Sequence, residues 1–280
     1  MTKLFNNIMV AIDYSSKSTI AIERAIDIAN HFKCHVHLVY AEAQGLISWE
    51  HRPGNGGADP GPDSSQARLY ELQNKYTYQL EPGLSMFASI RKGNKNKSII
   101  EYAVRNQIDL VVVSNTGTII NQIFTRSFNV QEISRRLECP VLSVRHSYGE
   151  DKLHNIVLPI CSALPIRKIM FASYLARKYN SRIHLLAIAN ERSDANPDHN
   201  QYLHKAYQLL RDNTTLSIEC HTMRGHNIAD TTLRFSEKIN ADLIVVNPGE
   251  ESMLSGFVNK LLKGTLFNES RIPVMTISAA

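Results

Sequence analysis

The chain has 280 residues, of which 43% are hydrophobic and 20% are charged, and its formal net charge is +5. This apolar fraction is enough for buried cores, so a mostly disordered chain is excluded, and the length fits two domains or one large one. The longest apolar runs are far shorter than the roughly 20 residues of a membrane-spanning helix. We therefore predict a soluble protein without a membrane partner.

The charge excess is spread along the chain, with 16 Lys and Arg against 13 Asp and Glu up to His146 and 15 against 13 after it. The densest basic run, Arg91–Lys97, contains no aromatic residues that could stack on bases, so we predict a solvated loop and no nucleic-acid partner. The first residues lack an apolar secretory segment, and the four cysteines form no CxxC pair. We therefore expect a cytoplasmic protein with reduced thiols.

The predicted elements alternate between strand and helix. Ile8–Ile12 is a β-rich run, and Ser18–His31 has the apolar spacing of an amphipathic helix. Leu110–Val113 is typical of a central parallel strand that is buried on both faces. The remaining elements predicted up to residue 144 are strand Val36–Ala41, helix Ala67–Gln79, strand Leu84–Ile90, helix Ser98–Asn106, helix Gln122–Leu137 and strand Val141–Val144.

The second half of the sequence repeats the first. The run NIMVAI at Asn7–Ile12 matches NIVLPI at Asn155–Ile160. The run DLVVV at Asp109–Val113 matches DLIVV at Asp242–Val246. Because the offset between matched positions falls from 148 to 133, the first half carries about 15 extra residues. They fall in Gly45–Gln66, which is rich in Gly and Pro and is predicted to be a long irregular surface loop.

Strands that alternate with helices form parallel βαβ crossovers. We therefore predict two tandem doubly wound α/β domains, 1–146 and 152–280, joined by a linker at 147–151. Each would have a five-stranded parallel sheet and about four helices.

Ligands of such sheets bind beyond the carboxyl ends of the strands. Asp13, directly after the first strand, could accept hydrogen bonds from a ligand or cap a turn, and both interpretations stay open. The small-residue turn Ser114–Gly117 follows the fourth strand and leads towards a helix, an arrangement that favours phosphate.

Three motifs carry a resemblance to a known family: VAIDYS at Val10–Ser15, DLVVVSNTG at Asp109–Gly117 and CPVLSV at Cys139–Val144. With them, the whole chain resembles two universal stress protein domains fused head to tail, each with a Rossmann-like (HUP-type) fold. The resemblance implies a non-enzymatic stress-response protein. Some members of the family bind ATP through a G-x2-G-x9-G-[ST] motif, together with the aspartate after strand one and a residue after strand two.

Carried onto the first copy, the resemblance implies an adenine-nucleotide site for ATP or AMP. Its residues would be Ala11, Ile12, Asp13, Ala41, Ser114, Thr116, Gly117, Ser127 and Phe128. Only Gly117 remains of the three motif glycines. Phe128 replaces the hydroxyl residue, so its ring could fill the phosphate space.

The second copy departs from the motif in a different way. Gly264 and Thr265 match the final pair of the motif, but Cys161 stands where the first copy has its aspartate. Glu250 and Glu251 lie in its phosphate loop, where carboxylates repel a phosphate unless a metal intervenes. We expect nucleotide binding here to be weaker than in the first copy, or absent.

We predict no metal site. His35 and His37 lie two residues apart on a strand, so a metal pair is conceivable. Only the position shared by His37 and His184 repeats in both copies, however, which favours a structural role.

The cysteines are predicted to differ in exposure. Cys34, Cys139 and Cys220 lie on or beside apolar runs and are expected in the core. Cys161, at the carboxyl end of a strand, is expected to be the exposed one, with a redox role as an alternative to simple exposure.

We predict no catalytic residues, because the sequence contains none of the patterns HExxH, GxSxG, GxxxxGK[ST] or CxxC. The alternative is a weak nucleotide hydrolase or transferase. Glu250 and Glu251 could supply a carboxylate pair for it in the second copy, but that copy lacks the aspartate that would hold the nucleoside. The resemblance also implies that Val141–Val144 pairs with Val274–Ile277 in an internal pseudo-dimer, which would cover both sheet edges. A further homodimer stays open.

Overall fold

The computed structural model describes residues 3–14, 17–42, 62–114, 128–145, 153–161, 163–189, 197–254, 266 and 270–278. These residues form an α/β fold with a mostly parallel sheet and seven α-helices. The chain divides into two compact units, Met1–Val112 and Val113–Ala280. Among the described residues, no helix combines the length and apolar character needed to cross a bilayer.

The first unit alternates strands and helices. Its elements are β1 (Asn7–Ile12), α1 (Ser18–Phe32), β2 (His35–Glu42), α2 (Pro62–Thr77), β3 (Met86–Lys92), α3 (Lys95–Arg105) and the start of β4 (Leu110–Ser114). The strand order is β3-β2-β1-β4. β1 pairs in parallel with β2, and β2 with β3, which confirms the predicted βαβ arrangement.

The second unit repeats this arrangement. Its elements are α4 (Val130–Arg136), β5 (Val141–Val144), β6 (Asn155–Ile160), α5 (Ile166–Tyr179), β7 (Arg182–Ala189), α6 (Pro197–Asn213), β8 (Ile218–Arg224), α7 (Ile228–Lys238), β9 (Leu243–Val246), a 3-10 turn (Glu250–Ser252) and β10 (Val274–Thr276). The strand order is β5-β10-β9-β6-β7-β8, so β8-β7-β6-β9 mirrors β3-β2-β1-β4.

Strand β5 is the exception to parallel pairing. It runs antiparallel to β10, with Ser143 opposite Val274 and Leu142 opposite Met275. The pairing expected between these two strands is therefore present, and it places β5 in the second compact unit. The domain boundary at 146–152 and the pseudo-dimer of two domains stay predictions.

Both copies end their first helix in the same way. Lys33 after α1 and Asn180 after α5 adopt left-handed backbone conformations, with φ of 59° and 54°. Their N–H groups donate to the carbonyls of Ala29 and Ala176. The left-handed conformation at Lys33 and Asn180 ends each helix at the residue before.

Two predicted loops are partly wrong. Helix α2 begins at Pro62, so the last five residues of Gly45–Gln66 are helical, and residues 45–61 lie outside the described part. Proline is tolerated in the first turn of a helix, although it helped to mark this stretch as a loop. The basic run Arg91–Lys97 ends β3 and begins α3, where Asn94 caps the helix by accepting from the N–H of Lys97. The predicted helix Gln122–Leu137 is described only as α4.

A close approach to Thr231 explains the glycine at position 225, two residues before the N-cap of α7. A Cβ on Gly225 would lie 2.0 Å from Oγ1 and 3.1 Å from Cβ of Thr231, which is fully buried at the start of α7. We expect Gly225→Ala to lower the free energy of unfolding by about 2 kcal/mol, because the added methyl group overpacks this contact. Urea denaturation measures the change.

The double variant Gly225→Ala with Thr231→Ala is the control, because it removes the atoms that clash. It is expected to be more stable than Gly225→Ala alone. If both variants unfold at the same urea concentration, the contact with Thr231 is not the reason for the glycine.

Candidate functional site

The candidate site of the first copy begins at the carboxyl end of β1. Ala11 and Ile12 are apolar and fully buried. Their side chains therefore pack beneath the candidate site and offer it no polar group. Asp13 follows, and its Oδ1 accepts a hydrogen bond from Oγ of Ser18 at 2.6 Å. The N-cap of α1 is Lys17, which makes no side-chain capping bond. Asp13 is thus held by the first residue of the helix and is not the N-cap of α1. Whether its carboxylate serves the turn or a ligand stays a prediction.

Two tyrosines that the sequence analysis missed lie at the ends of β1 and β2. The rings of Tyr14 and Tyr40 have centroids 4.4 Å apart, and the guanidinium of Arg68 lies 4.5 Å from the centroid of the Tyr14 ring. The phenol of Tyr14 donates to the carbonyl of Ser65 at 2.6 Å. Burial, reinforced by Tyr40, raises the pKa of Tyr14 to about 12. Ala41, the predicted adenine-side residue, is fully buried next in sequence to Tyr40.

The backbone of Tyr14 is in the left-handed region, with φ of 56°. A non-glycine residue there costs of order 1–2 kcal/mol, and such residues cluster at functional sites. The ring contact with Tyr40 and the hydrogen bond to Ser65 hold the residue in this conformation. The only sequence signal for this cluster was a tyrosine directly after the aspartate.

The predicted phosphate-side residues are described in part. Ser114 ends β4, is 4% exposed, and its Oγ has no hydrogen-bond partner among the residues that the structure describes. A buried hydroxyl left unpaired costs about 1–3 kcal/mol. The ring of Phe128 is 3% exposed, directly before the N-cap of α4. The predictions for Thr116, Gly117 and Ser127 lie outside the described residues.

The second copy fills the corresponding region with its own charges. Oε2 of Glu251 accepts from Nζ of Lys168 and from the N–H of Asn247, at 2.6 and 2.7 Å. Nζ of Lys168 also donates to the carbonyl of Pro159 at 2.6 Å. The charge of Glu251 is therefore neutralised inside the protein. The sequence analysis expected this carboxylate to repel a phosphate, and the ion pair with Lys168 removes the reason for that expectation. Gly264 and Thr265 lie outside the described residues.

Comparison with protein-family models decides the family. The model described as the universal stress protein family matches residues 4–145, just over half of the 280 residues. The chain belongs to the universal stress protein family. The match spans the first copy of the repeat, including Asp13, Ala41 and Ser114. No curated protein sequence matches the chain.

Two solved structures that cover nearly the whole chain show the same fold. A universal stress protein from Archaeoglobus fulgidus DSM 4304 superposes with a TM-score of 0.73 at 15% identity, covering 98% of each chain. A functionally unknown protein from Pseudomonas aeruginosa PAO1 gives 0.66 at 15% identity, covering 98% of this chain and 92% of that one. A universal stress protein in complex with cAMP covers 50% of this chain and 97% of its own, at 21% identity and a TM-score of 0.38.

In this universal stress protein, the repeated histidine is tied to the repeated asparagine of the first strand. Nε2 of His37 lies 3.4 Å from Oδ1 of Asn7, and Nε2 of His184 lies 3.1 Å from Oδ1 of Asn155. Burial lowers the pKa of His37 and of His184. Both rings are thus neutral at pH 7, which fits the structural role predicted for this position.

The predicted alternative of a metal pair at His35 and His37 finds no support in the contacts. Nδ1 of His35 accepts from the N–H of Ser85 at 3.1 Å, and Nδ1 of His37 lies 2.9 Å from the hydroxyl of Tyr102. Within the described part of the chain, one group of side chains could hold a metal ion: His184, Glu219 and His221. The sequence analysis missed this group.

The cysteines follow the prediction in part. Cys34 is buried, and its thiol donates to the carbonyl of Phe5 at 3.0 Å. Cys139 and Cys161 are half-buried, and Cys220 is exposed. The expectation of a core position is wrong for Cys139, which is half-buried, and for Cys220, which belongs to strand β8 at the end of the sheet order. The expectation that Cys161 is the exposed cysteine is also wrong, because Cys220 is more exposed.

A separate depression of about 870 Å³ lies along β3 and α3 in the first unit. Arg91, Lys92 and Arg105 give it a basic rim, and Glu101 lies among them. None of the predicted nucleotide residues that the structure describes lines it.

Proposed function

We propose that this member of the universal stress protein family is a cytoplasmic, non-enzymatic stress-response protein with two tandem domains, whose first copy binds ATP or AMP. The proposal is carried by the contrast between the two strand ends. The first copy keeps a carboxylate, Asp13, whereas the second has Cys161 there and uses Glu251 to bind its own Lys168. A duplicated fold thus keeps ligand-binding chemistry in one copy.

The residues of the first copy match the parts of a nucleotide. The carboxylate of Asp13, oriented by Ser18, would accept from a ribose hydroxyl or an exocyclic amine. The rings of Tyr14 and Tyr40 offer aromatic surface for a base at the ends of β1 and β2, next to Ala41. These contacts support recognition of a nucleoside.

The hydroxyl of Ser114 supports the phosphate end of the site. It is buried where the family motif begins and has no partner within the described part of the chain, so a phosphate oxygen would satisfy it. By the family resemblance, Thr116, Gly117 and Ser127 would complete the phosphate contacts through small side chains and backbone N–H groups.

The contacts of Glu251 argue for nucleotide binding without hydrolysis. As a general base it would need to reach a water beside the phosphate, but its Oε2 is engaged by Lys168 and Asn247. We expect no phosphate release from ATP above that of a heat-denatured sample. Release that disappears in Asp13→Ala would establish the hydrolase alternative instead.

We expect Asp13→Asn to weaken ATP binding about tenfold, because the variant loses the charge that strengthens hydrogen bonds to the nucleoside. Asparagine keeps the size of the side chain and an oxygen that can accept from Ser18. Isothermal titration calorimetry with ATP and with AMP, on the full chain, measures the affinities.

The matched control is Asp212→Asn, which alters an exposed carboxylate on α6 and is expected to bind like the wild type. If the wild type gives neither heat nor a thermal shift with either nucleotide at millimolar concentration, the nucleotide proposal is overturned.

A further inference from the structure

Three side chains on the edge of the second unit point metal-ligating atoms at one another. Nδ1 of His184 on β7 lies 3.1 Å from Nε2 of His221 and 3.4 Å from Oε2 of Glu219, both on β8. Nε2 of His221 lies 3.5 Å from the same Oε2. The register pairs His184 with Glu219, and His221 follows two residues later on the same face of β8.

We propose that His184, Glu219 and His221 bind a divalent transition-metal ion, with Zn²⁺ the best match. Zinc bonds to imidazole nitrogen and carboxylate oxygen at about 2.0–2.2 Å, so two ligands of a tetrahedral ion lie about 3.4 Å apart. The three separations between the ligand atoms, 3.1, 3.4 and 3.5 Å, have this size. Two imidazoles and one carboxylate also leave a fourth position for water or another ligand.

Neighbouring groups orient two of the three ligands. Oδ1 of Asn155 lies 3.1 Å from Nε2 of His184, which places the proton of this ring on Nε2 and leaves Nδ1 with its lone pair. The guanidinium of Arg182 holds Oε1 of Glu219 at 2.9 Å, so Oε2 is the oxygen left to face the histidines. Metal sites depend on such outer contacts for ligand orientation.

The lone pair of Nδ1 faces a carboxylate oxygen at 3.4 Å, an unfavourable pair unless a proton or a cation lies between them. A proton on Nε2 of His221 could serve one of these contacts but cannot lie along all three. A metal ion satisfies all three atoms together.

The first copy has the same backbone without this chemistry. By register, Phe87 and Ser89 occupy the places of Glu219 and His221 beside His37. The hydroxyl of Tyr102, eight residues after the N-cap of α3, satisfies Nδ1 of His37. At the matching place in α7 the second copy has Phe235, whose ring centroid lies 6.3 Å from that of His184 and which has no hydroxyl.

The test is a zinc titration of the full chain after chelator treatment, by calorimetry, with Co²⁺ absorption as a second readout. We expect one Zn²⁺ per chain and a tetrahedral Co²⁺ spectrum. His221→Ser, which copies Ser89 of the first copy, should raise the Kd at least about 100-fold, since even outer-contact losses cost 10- to 100-fold. Glu219→Gln should raise it about tenfold and leaves both histidines in place.

His204→Ser is the matched control, because it removes an exposed histidine of α6 in the same unit. It should bind zinc like the wild type. The proposal is overturned if the wild type binds no zinc at micromolar concentration. It is also overturned if Glu219→Gln and His221→Ser both keep the affinity of the wild type. Should His221→Ser fail to fold, the result with Glu219→Gln decides.

Discussion

Replacing Glu251 by alanine is expected to lower the free energy of unfolding by about 3–5 kcal/mol, because it leaves the ammonium group of Lys168 buried without a counter-ion. Lys168 is 0% exposed, and the side chain of Glu251 is only 12% exposed. Water therefore cannot replace the lost carboxylate. The midpoints of urea and thermal unfolding both measure the loss.

The size of the effect follows from what remains in the variant. Nζ of Lys168 would keep its hydrogen bond to the carbonyl of Pro159, but it would lose the one ion pair that it makes with the described residues. The N–H of Asn247 would lose its acceptor as well. Both losses occur in the second unit, which should unfold first.

A double-mutant cycle separates the ion pair from general packing. The variant Lys168→Met with Glu251→Gln removes both charges, and the amide oxygen of Gln can still accept from Asn247. We expect it to be more stable than either single variant, since a buried pair is often replaceable as a unit.

The exposed pair of Lys97 and Glu101 is the control for surface electrostatics. Their charged atoms lie 3.7 Å apart, with side chains 70% and 66% exposed. Glu101→Ala should cost no more than about 0.5 kcal/mol. If Glu251→Ala costs as little as Glu101→Ala, the buried pair does not stabilise the fold.

The strands were largely predictable because a strand that is buried on both faces is an uninterrupted apolar run in the sequence. Leu110–Val113 and Val141–Val144 are uninterrupted apolar runs, and they match β4 to within one residue and β5 fully. Strand β8 contrasts with them. It carries Glu219, Cys220 and His221 because a strand at the end of the sheet order needs no apolar face on both sides.

The side-chain partners were not predictable, because they join residues that are far apart in the sequence. Lys168 and Glu251 are 83 positions apart, and His184 and His221 are 37 apart. The sequence offered two histidines on one strand as metal ligands, whereas the cluster of His184, Glu219 and His221 depends on the register between two strands. Asp13 was found because its signal is local, directly after a buried strand.

The repeated aspartate of the DLVVV and DLIVV motifs leads to a further stability prediction. Oδ2 of Asp242 accepts from the N–H groups of His154 and Asn155, both at 2.8 Å. In the first copy, Oδ2 of Asp109 accepts from Asn6 and Asn7 at 2.7 and 3.0 Å. Each carboxylate thus fixes the start of the strand that neighbours its own in the sheet order.

We expect Asp242→Ala to lower the free energy of unfolding by about 3 kcal/mol, taking roughly 1.5 kcal/mol for each charge-assisted hydrogen bond. The N–H of Asn155 is partly buried, so water replaces the carboxylate only in part. Asp242→Asn keeps one acceptor oxygen without the charge and should lose about half as much. Urea unfolding, with an unchanged slope, reports the difference.

Asp212→Ala is the matched control, because its side chain is 68% exposed and pairs only loosely with Arg211, at 3.9 Å. It should change the unfolding midpoint little. If Asp242→Ala is as stable as Asp212→Ala, the repeated aspartate does not hold the strand start. If Asp242→Ala is strongly destabilised and also loses zinc binding, Asp242 positions the metal ligand His184 indirectly. It would do so through Asn155, whose N–H donates to Asp242 and whose Oδ1 contacts the His184 ring.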